Sequence, residues 1–301
     1  MKFTTVAAVL FGVCFFAIAS HAAYQKVIKD PAEYNAYMHA LNTADPSQKA
    51  SQMEQFVAAY PDSVVKLDAL EQTMAAYQQA GDTAKVEATA RRILTFDAGH
   101  VRALSVVTYL ERGRATQGDA KALAALRTDA TRGLREIIKW RAPDGMNQAE
   151  YLKLRDQMLA IFSGAAGFVA LQDKNYGAAR GFYQKAVKLA PEDLQEVYQL
   201  GVAELQMSPL DPNGFWYVAR AMHLAGEAKN QAAVQSIGDY GRAKYKRYHG
   251  SEDGWDRIVA SAAKAAKLPP NFAKTLKASS ADAEVAVKAV HDNDPASLSF
   301  S

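Results

Sequence analysis

The chain has almost no cysteine: Cys14 is the only one, and it sits inside an N-terminal apolar run. If that run is removed, the rest of the chain can form no disulfide, no thiolate metal site and no thiol nucleophile. An excess of either charge is also missing. Lys and Arg number 35 against 32 Asp and Glu, giving a formal charge of +3. So balanced a chain has no general field for holding nucleic acid or an anionic membrane. Strand-period alternation of Val, Ile and Thr is absent over any useful length.

Motifs of common chemistries are missing as well. No two of His21, His39, His100, His223, His249 and His291 stand three or four apart, and no HExxH helix occurs. A zinc site therefore lacks its usual scaffold. There is no GxxxxGK[ST] phosphate loop, no GxGxxG turn and no GxSxG nucleophile elbow. No cofactor and no metal are expected, and no enzymatic activity.

What is present begins with a targeting pattern. Lys2 precedes an apolar run from Val6 to Ala19, and Ser20-His21-Ala22 supplies small residues at the two positions a signal peptidase reads. A retained anchor would need about 20 apolar residues, and this run is shorter. A lipoprotein site would need a small residue before Cys14, where Val13 stands. Residues 1–22 are expected to be a signal peptide, leaving no stable membrane span and an exported, periplasmic or secreted chain.

From about Ala32 onward, Ala, Leu, Gln, Glu, Lys and Arg dominate, and apolar residues recur three and four apart. An all-α fold follows. Polar breaks at 59–63, 79–83, 97–100, 114–119, 141–145, 172–177, 189–193, 208–214, 249–254 and 267–271 divide the pattern. Helices of roughly 12 to 20 residues are expected between them, joined as antiparallel hairpins.

The segment GFVALQDKNYGAARGFYQKAVKLAP, residues 167–191, shows why. A first helix ends near Leu171 or Gln172 and a second begins near Tyr176. Ala179, Tyr183 and Ala186 then form one stripe, and Pro191 forces a turn before a helix starting near Leu194. With a unit set at 160–193, Gly167, Ala179, Tyr183, Ala186 and Pro191 follow the order small, small, aromatic, small, proline. That order resembles the tetratricopeptide repeat, whose period is about 34 residues. Ser163 stands where an early aromatic is usual, and Ala170 replaces the usual tyrosine. A unit at 67–100 keeps Tyr77, the Gly81-Asp82 break and Ile93. Leu200-Gly201 open a further unit that accepts a Pro-rich insertion before GFWYVARAMHLA.

The resemblance covers residues 32–226 and implies a right-handed superhelical array of antiparallel helix pairs. Each pair exposes an apolar face that only the next pair can bury. The first helices would line a concave groove that binds a protein or peptide. The matching groove positions are Glu71, Gln78, Arg102, Tyr109, Arg112, Phe168, Gln172, Tyr198 and Gln206. Some members of the family grip acidic peptide tails with Lys and Asn at set places. Here those places hold Glu71, Ser105, Gly164 and Tyr198, so that specificity does not carry over. Residues 227–301 lose the repeat markers and are expected to cap the array and end in a flexible tail. Self-association of the array stays open.

Three further segments invite chemistry. Glu252, Asp253 and Asp256 beside Trp255 suggest an alternative, an all-α glycosidase or lyase with an acid/base pair and an aromatic sugar platform. The plainer reading is a helix start, with Asp253 near the cap and Trp255 packed inward. YGRAKYKRYHG, residues 240–250, interleaves cations with tyrosines. The charge is local, so docking of one helix on another is favoured over nucleic acid. Phe215-Trp216-Tyr217 cannot share one helix face, so one of them is expected to point away from its own pair, under the Pro loop or toward a partner.

Overall fold

In a computed structural model of the protein, residues 26–143 and 145–279 are described. The proposed signal peptide and the expected tail lie outside these residues. Among the described residues the chain is all-α, with twelve α-helices, one 3₁₀ turn and no strand. It divides into two compact units, residues 1–173 and 174–301, and each is taken by itself.

The first unit contains α1 (Pro31–Asn42), α2 (Pro46–Ala59), α3 (Lys66–Ala80), α4 (Thr83–Phe96), α5 (Val101–Thr116), α6 (Ala120–Glu136) and α7 (Gln148–Gln172). Every helix packs on the next, and α5 also packs on α7 across the hairpin between them. Short turns make such neighbours antiparallel, the arrangement of a helical-repeat array. Met53, Phe56, Leu70, Met74, Ile93 and Val107 form the core that α2 to α5 share.

The second unit contains α8 (Tyr176–Leu189), α9 (Leu194–Leu205), α10 (Asn213–Glu227), α11 (Gln231–His249) and α12 (Trp255–Lys264), then a 3₁₀ turn, Phe272–Thr275. Here α10 is central, packing on α9, α11, α12 and the 3₁₀ turn. That explains its three consecutive aromatics. Phe215 meets Tyr245 and Tyr248 of α11, and Trp216 stands edge-on to Tyr217. With neighbours on several sides, no exposed anchor is needed. Tyr240 and Tyr245 of the basic segment likewise pack, on Tyr198 and Trp255.

The helix starts obey local chemistry. Asp30, Asp45, Asp82, Asp119 and Asp193, with Asn147, Asn175 and Asn230, each accept a backbone N–H at the cap. Such a cap contributes about 1 kcal/mol. Gly81 and Gly250 close α3 and α11 in the left-handed conformation, at φ 76° and 92°.

One expectation needs correction. At 25 residues, α7 exceeds the expected helix length. Every residue from 162 to 170 is buried, so this stretch is apolar on all sides and needs no polar face to mark its end. At the start of α12 the cap is Gly254, at φ 101°, with Asp253 one residue before it, near the cap as expected. Asp253 accepts the Ser251 hydroxyl at 3.0 Å.

Candidate functional site

Two helices of the first unit carry the groove candidates in register. On α3, Glu71 and Gln78 stand two turns apart, as do Arg102 and Tyr109 on α5. The structure joins the stripes at one end: Arg102 Nη1 donates to Glu71 Oε2 at 2.9 Å. His100 completes the group, its Nε2 lying 2.6 Å from Glu71 Oε1. His100 also caps α5, because Nδ1 accepts the Ala103 N–H at 3.2 Å. With Nδ1 accepting, the neutral ring carries its proton on Nε2 and donates to Glu71.

Burial is the largest single influence on the Glu71 carboxyl and pushes its pKa up. The hydrogen bonds of His100 and Arg102, with the positive charge beside the carboxyl, together outweigh it and leave the pKa below its ordinary value. On α1, Tyr37 faces the same place. Burial, then the negative charges of Asp68 and Glu71, push its hydroxyl up to about 12. Farther along, Gln78 is half-buried, and Tyr109 is 39% exposed with Arg112 one turn beyond. Near the end of α7, Phe168 is buried while Gln172 is exposed.

In the second unit, Tyr198 of α9 packs on Tyr240 of α11, and Gln206 caps the C-terminus of α9. The Tyr198 and Tyr240 rings meet edge-on with centroids 6.0 Å apart, and burial pushes the Tyr240 hydroxyl up to about 12. Of the repeat-packing residues, Ala179, Tyr183 and Ala186 are fully buried on α8, as their stripe requires, and Gly167 is buried on α7. Pro191 is exposed in the turn before α9.

A polar ladder between α4 and α5 escaped the sequence reading. Glu87 accepts from Arg91 on its own helix at 2.7 Å and from Arg114 of α5 at 2.7 and 2.9 Å. Arg91 reaches on to buried Glu111 at 3.0 Å. The Glu87–Arg91 spacing is legible in the sequence, but its partners on the neighbouring helix are not. Beside α2, a hollow of about 290 Å³ is lined by Ser51, Glu54, Tyr77, Asp82 and Lys85 among others. The Lys85 ammonium sits 5.1 Å from the Tyr77 ring centre.

The sugar-cleaving alternative loses its platform. Trp255 is 1% exposed, packed against Tyr245 and directly over Gly241. Glu252 and Asp256 both pair with Arg242, at 3.3 and 3.1 Å. They are exposed partners of one guanidinium and not an acid and a base facing each other across a cleft. Among the described residues, no group of three or more His, Cys, Asp or Glu could hold a metal ion.

Adjacent antiparallel helix hairpins with surface stripes on the first helices define an all-α helical-repeat fold. No family model matches the sequence, and no curated protein does. Among solved structures, the chain is similar to the TPR2AB domain of yeast Sti1 in its pHSP90 complex. Identity is 16% over 76% of this chain and 95% of that chain, with a TM-score of 0.18.

Proposed function

We propose that the protein is an exported, non-catalytic scaffold that binds a protein segment or extended peptide along the first-helix face of its hairpins. The observation that carries this reading is the register of Glu71 and Gln78 on α3 with Arg102 and Tyr109 on α5. Two parallel rows of polar and aromatic side chains, held on packed helices, form a surface that needs little ordering when a partner arrives. Glu71, Arg102 and His100 fix one end of it through their mutual bonds. Gln78 and Tyr109 then present an amide and a phenol ring, groups suited to backbone hydrogen bonding and side-chain packing in a partner. Export rests on the Lys2 flank, the Val6–Ala19 run and the small residues before Ala23.

The test uses the full chain expressed in its own cell, with fractionation, N-terminal sequencing and affinity capture from the envelope. The expected product starts near Ala23, outside the cytoplasm. It retains one partner that Gln78→Ala with Tyr109→Ala releases without unfolding the protein. Capture of nothing above background together with measurable glycan cleavage, lost in Asp256→Asn, would reverse the reading in favour of the enzyme.

A further inference from the structure

The α9–α10 connection of the second unit contains a carboxyl group with no charged partner of its own. Glu204, in the last turn of α9, is 1% exposed. Its Oε1 lies 3.4 Å from the Gln184 side-chain amide of α8, and its Oε2 has no hydrogen-bond partner. The cation facing it from α8, Arg180, is held by Asp211 at 3.3 Å. Asp211 also accepts the Asn213 N–H at 3.0 Å, where α10 begins, and its own N–H donates to the Glu204 carbonyl at 3.1 Å. From α10 comes Tyr217, whose hydroxyl is pushed up to about 12 by burial and then by the charges of Glu204 and Asp211.

The connector therefore hangs on the backbone of Glu204, while the Glu204 carboxyl faces an acid, a phenol, an amide and a guanidinium already engaged. An ionised carboxylate is strongly disfavoured in such a place, and a protonated one is tolerated. We propose that this connector is a proton-operated latch. A proton on Glu204 keeps the α9–α10 connection closed, and its loss sets Glu204 against Asp211 and loosens residues 206–213.

Burial, reinforced by the Asp211 charge, pushes the Glu204 carboxyl up to about 8, against smaller opposing effects of Gln184 and Arg180. The direction of the response follows. The closed connector keeps its proton up to about pH 8, while an open one releases it near the ordinary value of 4.5. Between these limits the closed form holds the extra proton, so each unit rise in pH favours opening by up to tenfold. Above the upper limit the effect levels off. The latch is tight in acid and slackens toward mild alkali.

Hydrogen exchange on the full chain, corrected for the intrinsic pH dependence of exchange, tests this at the Asp211 amide. Between pH 6 and 8 its protection is expected to fall by up to about tenfold per unit in the native protein. In Glu204→Gln, which keeps the shape and cannot ionise, it stays level. Asp211→Asn removes the like charge and frees Arg180 for Glu204, so the fall should stop at a lower pH. Parallel profiles for the native protein and Glu204→Gln would overturn the proposal. A profile that moves with millimolar calcium at fixed pH would overturn it too, since the carboxyls would then serve a cation. Should Glu204→Gln fail to fold, Asp211→Asn decides alone, and an unchanged window rejects the latch.

Discussion

A Cβ atom placed on Gly133 of α6 would stand 2.3 Å from the ring of Phe162 on α7. The ring, fully buried, lies against bare helix backbone. Alanine at this position gains about 1 kcal/mol of helix propensity, but the ring has no space to retreat. Gly133→Ala is therefore expected to destabilise the first unit by about 1–3 kcal/mol, the usual cost of overpacking. Gly181 of α8 is the control, with nothing within 4 Å of its would-be Cβ. There the propensity gain stands alone, so Gly181→Ala should stabilise by up to about 1 kcal/mol. Urea unfolding of the two variants should move in opposite directions.

Between α9 and α10 the close approach is backbone on backbone. A Cβ on Gly201 would lie 2.9 Å from the backbone nitrogen of Val218, and one on Gly214 would lie 2.8 Å from the Gly201 carbonyl oxygen. A side chain can rotate aside, but helix backbone moves only with its whole element. Gly201→Ala should thus reach the upper end of the overpacking range, about 3 kcal/mol. It should also part α9 from α10, read as lost amide protection in both helices while α11 keeps its own. Equal protection in both helices would show that the contact is loose.

Much of this architecture is written locally. All ten polar breaks fall where a helix ends or begins, because Gly, Pro, Asp and Asn mark caps and turns through their own backbone chemistry. Two turns carry only a single capping residue, Asp45 or Asn230, and are not among the ten breaks. Thr43–Asp45 and Ala228–Asn230 contain neither Pro nor Gly, and Lys229 adopts φ 54° without a glycine. A lone Asp or Asn is too common a residue to stand out as a break. The stripe of Ala179, Tyr183 and Ala186 is legible as a buried face, since helix periodicity alone places it. The site is less legible. Glu71 and Arg102 are both visible as surface positions, but their bond crosses between helices 31 residues apart in sequence, and no local pattern encodes that meeting. The buried Glu111 and Glu204 are hidden for the same reason. Their helix positions are ordinary, and only the neighbours make them unusual.

The Glu71–Arg102 pair is more than half buried on both sides and should be measurable as a coupling. A double-mutant cycle of Glu71→Gln and Arg102→Met should give about 1 kcal/mol at neutral pH. Its pH dependence has a fixed sign. The Glu71 carboxyl is lowered in the folded state, so its contribution is present above the ordinary value of 4.5 and is lost as pH falls through the folded value. The penalty of Glu71→Gln should therefore shrink on acidification. A penalty that grows below pH 4 would contradict the assigned bonding.

Arg220 offers the opposite case, a charge whose removal should do no harm. Its side chain is buried between α10 and α12, and its Nη1 donates to the Ala262 carbonyl in the last turn of α12 at 3.3 Å. Its Nε has no partner, and among the described residues Arg220 forms no ion pair. One carbonyl, even at the negative end of a helix, compensates little of the desolvation of a guanidinium. The aliphatic stem, by contrast, fills space that α12 needs. Arg220→Met keeps most of that volume and drops the charge, so its thermal midpoint should equal or exceed that of the native protein. Arg220→Ala drops both, and the hole should cost about 2–4 kcal/mol. If Arg220→Met is as damaging as Arg220→Ala, the charge itself holds α12 in place, through an acceptor other than the Ala262 carbonyl.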